Sequence, residues 1–197
     1  MKKLFLGAED KLIDECKKGN IKQQEALYKH FYSYAMTICL SYCSSRETAE
    51  EVLNDSFMKV FTNIQNYKHE VPFKHWFRRI VVNTSIDYYR ANSKQKLLVD
   101  ITEVDQGDFN QEILENLSVE DIMMLIRELP DQYRMVFNLY EIEGYKHNEI
   151  GEMMKITEAT SRSYLKRAKV KLRQLYNEHF EEKFTKISRI QKSEARI

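Results

Sequence analysis

Proline and glycine are scarce in this chain, two and five among 197 residues. Both interrupt helices, proline by removing a backbone donor and glycine by its backbone entropy. Here they punctuate: Gly19, Pro72, Gly107, Pro130 and Gly144 stand between long stretches free of either. No stretch sustains the two-residue alternation of a half-buried strand, so the expected fold class is all-α. Cysteine is scarce and odd in number. Cys39 and Cys43 share a helix face, but no second Cys/His pair stands near them, which excludes a zinc site of familiar spacing and a disulfide framework. Cys16, Cys39 and Cys43 are expected to be reduced and mostly buried. Long apolar runs are missing as well. The opening MKKLFLGAEDKLIDE meets charge after a few residues, and no later run approaches the ~18 apolar residues of a membrane span, so a cytoplasmic protein is expected. The chain has no Gly-rich phosphate loop, no nucleophile–base arrangement and no metal-spaced cluster, and His30, His69, His75, His147 and His179 are scattered. No enzymatic activity, no cofactor and no metal are expected.

What is there is charge, 31% of the residues, with a net of only +1. The sum conceals a pattern. Residues 1–96 carry 16 basic against 11 acidic side chains; residues 97–121 carry eight acids and no base. Residues 122–177 return to 10 against 7, and the tail from residue 178 holds 5 against 4. Two mildly basic blocks thus flank a strongly acidic connector.

The stretch 147–173, HNEIGEMMKITEATSRSYLKRAKVKLR, reads as two helices around a tight turn. Ile150, Met153 and Met154 form an apolar stripe at helical spacing. Lys155-Ile156-Thr157 makes the turn, with the Thr157 hydroxyl capping the second helix. Leu165, Ala168 and Leu172 then face inward. Ser161, Arg162, Ser163, Lys166, Arg167 and Lys169 are left largely for the outer faces. From residue 158 to 173 a single Glu stands against six Lys and Arg. A basic amphipathic helix held behind a shorter one is what reading a major groove requires; a solvated basic helix in an ordinary bundle has the same composition.

Upstream, residues 10–18 read as a short helix ended by Gly19-Asn20, and a second runs from about residue 22 to 42. Its apolar face is Ala26, Leu27, Phe31, Ala35, Ile38 and Cys39, and Tyr28, Phe31, Tyr32 and Tyr34 read as packing. A third helix starts near residue 46. Val52, Leu53, Phe57, Val60, Phe61 and Ile64 line its core face; Glu51, Asn54, Asp55 and Met58 lie on the other. KHEVPFKH then reads as a loop with Pro72 in its middle. Trp76 opens the next helix, WFRRIVVNTSIDYYR, with Ile80, Val81 and Ile86 inward. Arg78, Arg79, Asn83, Asp87 and Arg90 interleave there with Tyr88 and Tyr89. Cations, rings and an amide suit single-stranded DNA, but a core Trp76 and Phe77 with surface arginines fits equally. Residues 92–116 read as a flexible acidic linker. Order resumes at Ser118. Pro130 introduces DQYRMVFNLYEIEGY, with Val136, Phe137 and Tyr140 inward and Gly144 as the stop, so that four helices form the C-terminal domain.

LIDECKKGNIKQQEALYKHFY, AEEVLNDSFMKVFTNI, FKHWFRRIVVNTSIDYYR and LPDQYRMVFNLYEIEGYKHNEIGEMMKITEATSRSYLKRAKVKLR, in that order, resemble an extracytoplasmic-function sigma factor. This is the minimal branch of the sigma-70 family, and the likeness is to the kind common in Bacteroidetes. It covers residues 12–176 and implies two small helical domains: 1–96 for core polymerase binding and −10 melting, and 118–180 for −35 recognition by a helix-turn-helix. A flexible acidic linker, 97–117, joins them, and 181–197 is a tail without an assigned role.

The resemblance also implies residue roles. Glu51, Asn54, Asp55 and Met58 would contact the clamp of the largest core RNA polymerase subunit, with the C-terminal domain on the flap of the second-largest. Asn54 departs from the Gln frequent in the family. Lys68, His69, Lys74, Trp76 and Asn83 would open the −10 element of promoter DNA and hold an extruded base; Arg79 and Arg90 would hold phosphates. Thr160, Arg162, Ser163, Tyr164, Lys166, Arg167 and Lys169 would meet the −35 element, Tyr164 standing where some relatives carry Arg. The acidic linker, with Asp100, Glu103, Asp105, Asp108, Glu112 and Glu115, would thread the polymerase's basic channel. An anti-sigma factor, often membrane-bound in the family, is an expected partner. The rival readings are a stand-alone helix-turn-helix regulator and a helical adaptor with no DNA role.

Overall fold

The computed structural model describes residues 7–92 and 118–181. The expected acidic linker, 97–117, and the tail beyond 181 lie outside the described residues. Every described element is helical, and the chain divides into two compact units, 1–95 and 96–197.

The first unit holds α1 (Ala8–Lys17), α2 (Ile21–Tyr42), α3 (Arg46–Asn63), a short 3₁₀ turn (Ile64–Asn66) and α4 (Phe73–Asn92). Local chemistry sets their limits. Glu9 and Asp10 sit in the first turn of α1, where acidic side chains oppose the helix dipole, and Gly19 ends the passage at a φ of +79°. Asn20 accepts from the Gln23 amide to start α2, and the Ser45 hydroxyl from the Thr48 amide at 3.2 Å to start α3. Pro72 stands immediately before α4, and its carbonyl accepts from the His75 amide at 3.0 Å. The loop is therefore shorter than the sequence suggested. Lys74 and His75 belong to the first turn of α4, because proline pre-sets the backbone for a helix start rather than the middle of a loop.

Helices α2, α3 and α4 pack on one another, and α1 lies on α2. Their shared core is aromatic: the Phe31 ring lies 5.1 Å from Phe73 and 5.7 Å from Phe77, and Phe57 lies 4.9 Å from Phe77. All four are buried, each contributing roughly 2–3 kcal/mol by leaving water. Phe61, expected inward, is only partly covered. The three cysteines are buried thiols, none in a disulfide; burial pushes the Cys16 thiol up to about 11 and the Cys39 thiol up to about 12.

The second unit holds α5 (Val119–Glu128), α6 (Asp131–Phe137) running into a π turn (Asn138–Ile142), α7 (His147–Met154) and α8 (Glu158–Tyr176) with a terminal π turn (Asn177–Glu181). Ser118 and Asp121 cap α5 reciprocally, at 3.1 and 3.2 Å. Helix α8 is the spine, packed against α5, α6 and α7. Leu125, Ile126, Leu129, Ala168, Leu172 and Leu175 form one buried cluster.

The inward face of α6 differs from the expected one. Val136 is buried, but Tyr140 is 37% exposed, and Tyr133, Arg134, Met135 and Leu139 take the interior. The π turn widens the helix after Phe137 and shifts the register by which Tyr140 was placed. Arg134 is 1% exposed; its guanidinium donates to the Arg127 carbonyl at 2.7 Å and the Leu129 carbonyl at 3.0 Å, and pairs with Asp131. It thereby satisfies the end of α5, whose last carbonyls have no partner within that helix.

Candidate nucleic-acid interface

In α3, Glu51, Asn54, Asp55 and Met58 recur at i, i+3, i+4 and i+7 and are all exposed, Met58 by 65%. The opposite side, Val52, Leu53, Phe57 and Val60, is core. The Tyr28 hydroxyl of α2 donates to the Asn54 side-chain oxygen at 3.2 Å and fixes that amide's orientation. Burial, with Tyr32 and Glu50 nearby, holds the Tyr28 phenol above its ordinary range, so it remains a donor.

Trp76, Arg79, Asn83 and Arg90 fall on a second surface. They follow one another at helical spacing along one side of α4, Arg79 and Asn83 exposed, Trp76 and Arg90 half-buried. Phe73, Phe77, Val81 and Ile86 anchor the other side. The indole rests against Tyr67 and Phe73, 5.3 and 5.5 Å between centroids, which leaves part of it to solvent as a stacking surface. Asp87, at the far end of the stripe, accepts from Lys59 of α3 at 2.9 Å and lies 3.7 Å from Arg90. Lys74 sits elsewhere, its ammonium 4.4 Å above the Tyr34 ring of α2. Lys68 is exposed. His69 is exposed as well, but its ring is turned along the surface to α1, where its two nitrogens meet Asp10 at 3.1 Å and Asp14 at 3.0 Å.

The helix-turn-helix forms as its spacing predicts. Lys155 takes the left-handed conformation, φ 58°, and Thr157 caps α8 by accepting from the Thr160 amide at 3.0 Å. The turn closes tightly: a β-carbon on Gly151 would lie 2.8 Å from the Ile156 carbonyl oxygen, so glycine is what lets the two helices approach. From the 100° step of a helix, Ala159, Arg162, Ser163 and Lys166 point away from the Leu165–Ala168–Leu172 core, and all four are exposed. Ala159 escaped the sequence reading, although a small residue in the first turn of such a helix is itself a signal of close approach.

Other expected −35 residues sit on the flanks. Thr160 and Arg167 are half-buried. Tyr164 packs against Tyr133, 5.5 Å between rings, and Lys169 pairs with Glu141 of the π turn at 2.8 Å. Ser161, expected outward, is fully buried at the interface with α7, where its hydroxyl lies 2.9 Å from His147 Nδ1. The His147 ring stacks on Tyr140 at 4.4 Å. Burial first, and then the charge of Arg162, hold His147 below its ordinary pKa, with Glu158 acting the other way. Arg162 itself reaches Glu158, 2.5 Å apart on the exposed surface.

The sequence matches the family model for sigma-70 region 2 over residues 27–95 and that for sigma-70 region 4 over residues 119–172. The chain is a member of the sigma-70 family, an extracytoplasmic-function sigma factor. It is 28% identical over 158 residues to the ECF RNA polymerase sigma factor SigM of Bacillus subtilis, covering 78% of this chain and 94% of that one. With the ECF RNA polymerase sigma-E factor of Haemophilus influenzae it shares 25% identity over 170 residues, 80% of this chain and 89% of the other. Among solved structures it is similar to the sigma factor RpoE of Bartonella quintana, crystallised with the anti-sigma factor NepR: 16% identity, 79% and 97% coverage, TM-score 0.45. The α3 and α4 surfaces of this sigma factor fall within the region 2 match, and the exposed side of α8 within the region 4 match. No helix among the described residues is long and apolar enough to cross a membrane, and no group of three or more potential metal ligands occurs among them.

Proposed function

We propose that this sigma factor docks on the clamp of core RNA polymerase through Glu51, Asn54, Asp55 and Met58. Its region 4 unit then engages the flap of the second-largest subunit. The α4 stripe opens the −10 element, with Trp76 stacking on an unpaired base, Asn83 offering an amide to its edge, and Arg79 and Arg90 meeting phosphates. Arg162, Ser163 and Lys166 of α8 read the −35 element in the major groove, with Ala159 close to the bases and Thr160 and Arg167 on the flank. The observation that carries this reading is the α4 stripe, an incompletely covered indole followed at helical spacing by a cation and an amide. Tyr164 and Lys169 support the helix rather than touch bases, given their packing on Tyr133 and pairing with Glu141.

The chain does no bond chemistry of its own; polymerase does, and capture of an extruded base drives opening without ATP. It works in the cytoplasm, and on family membership an anti-sigma factor is its expected regulator. The test is co-purification with core polymerase, wild type against Glu51→Lys/Asp55→Lys. These side chains are exposed, so the variant keeps its fold, loses the polymerase and loses run-off transcription. Retained assembly with polymerase would move the docking surface elsewhere.

A further inference from the structure

Between the 3₁₀ turn and α4 the chain forms a hook over residues 67–72. The Tyr67 hydroxyl donates to the Val71 carbonyl at 2.8 Å and closes its mouth, and the Glu70 amide lies 2.6 Å from the Lys68 carbonyl. Lys68, Glu70, Val71 and Pro72 are exposed on the outside. His69 is exposed too, but its ring lies edge-on to the Tyr67 ring at 5.0 Å and bridges to α1. Its Nδ1 lies 3.1 Å from Asp10 Oδ1 and its Nε2 3.0 Å from Asp14 Oδ1. Ionised carboxylates only accept hydrogen bonds, so both contacts are made together only when both ring nitrogens carry protons. A second tie, from the Gln65 side-chain amide to the Lys17 carbonyl, joins the 3₁₀ turn just before the hook to the end of α1.

We propose that His69 is a positioning residue: as an imidazolium held between Asp10 and Asp14, it fixes the hook on α1 and so sets the place of Trp76. The proposal rests on the reading of α4 as the strand-opening surface. The link from hook to indole is Tyr67, whose ring meets His69 on one side and Trp76, at 5.3 Å, on the other. Asp14 responds as such a partner should: the hydrogen bond from His69 is the largest influence holding its carboxyl below the usual range, ahead of the charges of His69 and Lys17. On the α1 side the ring faces two carboxylates, Asp10 and Asp14. Beyond them Lys17 pairs with Asp14 at 3.6 Å, Glu9 lies 3.9 Å from His30 of α2, and Lys68 and Glu70 flank His69 in the chain. When the ring loses a proton, one carboxylate faces a lone pair and the hook loses half of its hold. His69 thus acts on promoter opening through α1 and Tyr67 rather than by touching DNA.

The chain has a single tryptophan, so the emission of Trp76 reports the hook directly. The full-length protein is titrated from about pH 5 to about pH 8.5, a span that covers the charge change of an ordinary imidazole. Wild type is expected to titrate, and His69→Ala to give the high-pH spectrum throughout. His69→Arg or His69→Lys, which keep a cation, should hold the low-pH spectrum to the alkaline end. Asp10→Asn/Asp14→Asn should behave as His69→Ala does, and decides the matter if that variant fails to fold by circular dichroism. His75→Ala, beside the indole, should leave the titration in place. With core polymerase, permanganate reactivity at the −10 element should fall about fivefold in His69→Ala and recover in the cationic variants. A titration that survives His69→Ala, or follows His75, overturns the clamp, as does unchanged opening by a folded His69→Ala protein. Failure of wild type to open any promoter would instead strike the strand-opening reading, while the fluorescence still decides the clamp.

Discussion

His147 and Ser161 meet at 2.9 Å between the two helices of the DNA-reading motif, the histidine 8% exposed and the serine 0%. The pair fixes the rotation of α8 about its axis and hence which side chains face outward. Ser161→Ala leaves a buried ring nitrogen without this partner. It should lower stability by about 1–3 kcal/mol in urea unfolding, beyond what loss of one hydroxyl costs at an exposed position.

The same pair makes the unit acid-sensitive. His147 in the folded chain binds its proton less readily than in the unfolded chain. The unfolded state therefore takes up more protons as pH falls below about 6.5, and stability present above that value is lost on acidification through the histidine range. Asp14 also loses stability in acid, but only within the lower carboxylate range, because its folded pKa is depressed. Urea midpoints should fall from neutral pH to about pH 5.5, and less steeply in His147→Gln, which cannot become charged. An identical slope in that variant would assign the sensitivity to other groups.

Arg134 holds the junction of α5 and α6 by donating to the Arg127 and Leu129 carbonyls from a fully buried position. Arg134→Met keeps the stem volume but removes the donors and leaves Asp131 without this cation. A loss of about 3 kcal/mol is expected by denaturant unfolding of the full chain.

Pro130 and most of the capping residues were legible in the sequence. Ser45, Ser118 and Thr157 start helices because their side chains accept from backbone amides, a local matter that sequence records well; Asn20, expected as the end of α1, turns out to start α2 in the same way. The exposed stripe of α3 was legible too, from spacing alone. What escaped were polar residues in core positions. Ser161 lies at the inward angle of α8, one turn before Leu165, but a hydroxyl is assigned outward unless its partner, fourteen residues upstream, is known. Arg134 is hidden for the same reason, since its partners include carbonyls of the preceding element; the His69 ring lies at the surface, but its partners on α1 are equally invisible to composition. Tyr140 was misplaced by a π turn, whose extra residue shifts the period that sequence reasoning assumes constant. The start of α4 was misread because Pro72 ends one segment and begins the next with no signal to choose between them.

On α8 the exposed and flanking residues should separate by measurement. Arg162→Ala should weaken binding of the holoenzyme to its −35 duplex by about 1–3 kcal/mol, with no change in unfolding midpoint. Tyr164→Ala should lower the midpoint through lost packing on Tyr133 and leave base preference unaltered. An altered −35 preference in Tyr164→Phe would bring that ring to the DNA.

Promoter opening by the α4 stripe is tested most directly by permanganate reactivity of thymines on a responsive promoter. Core polymerase alone, this sigma factor alone and the two together are compared. Reactive thymines near −10 are expected only in the combined sample, and lost in Trp76→Ala/Asn83→Ala at unchanged polymerase binding. Opening that persists in that variant would contradict the account.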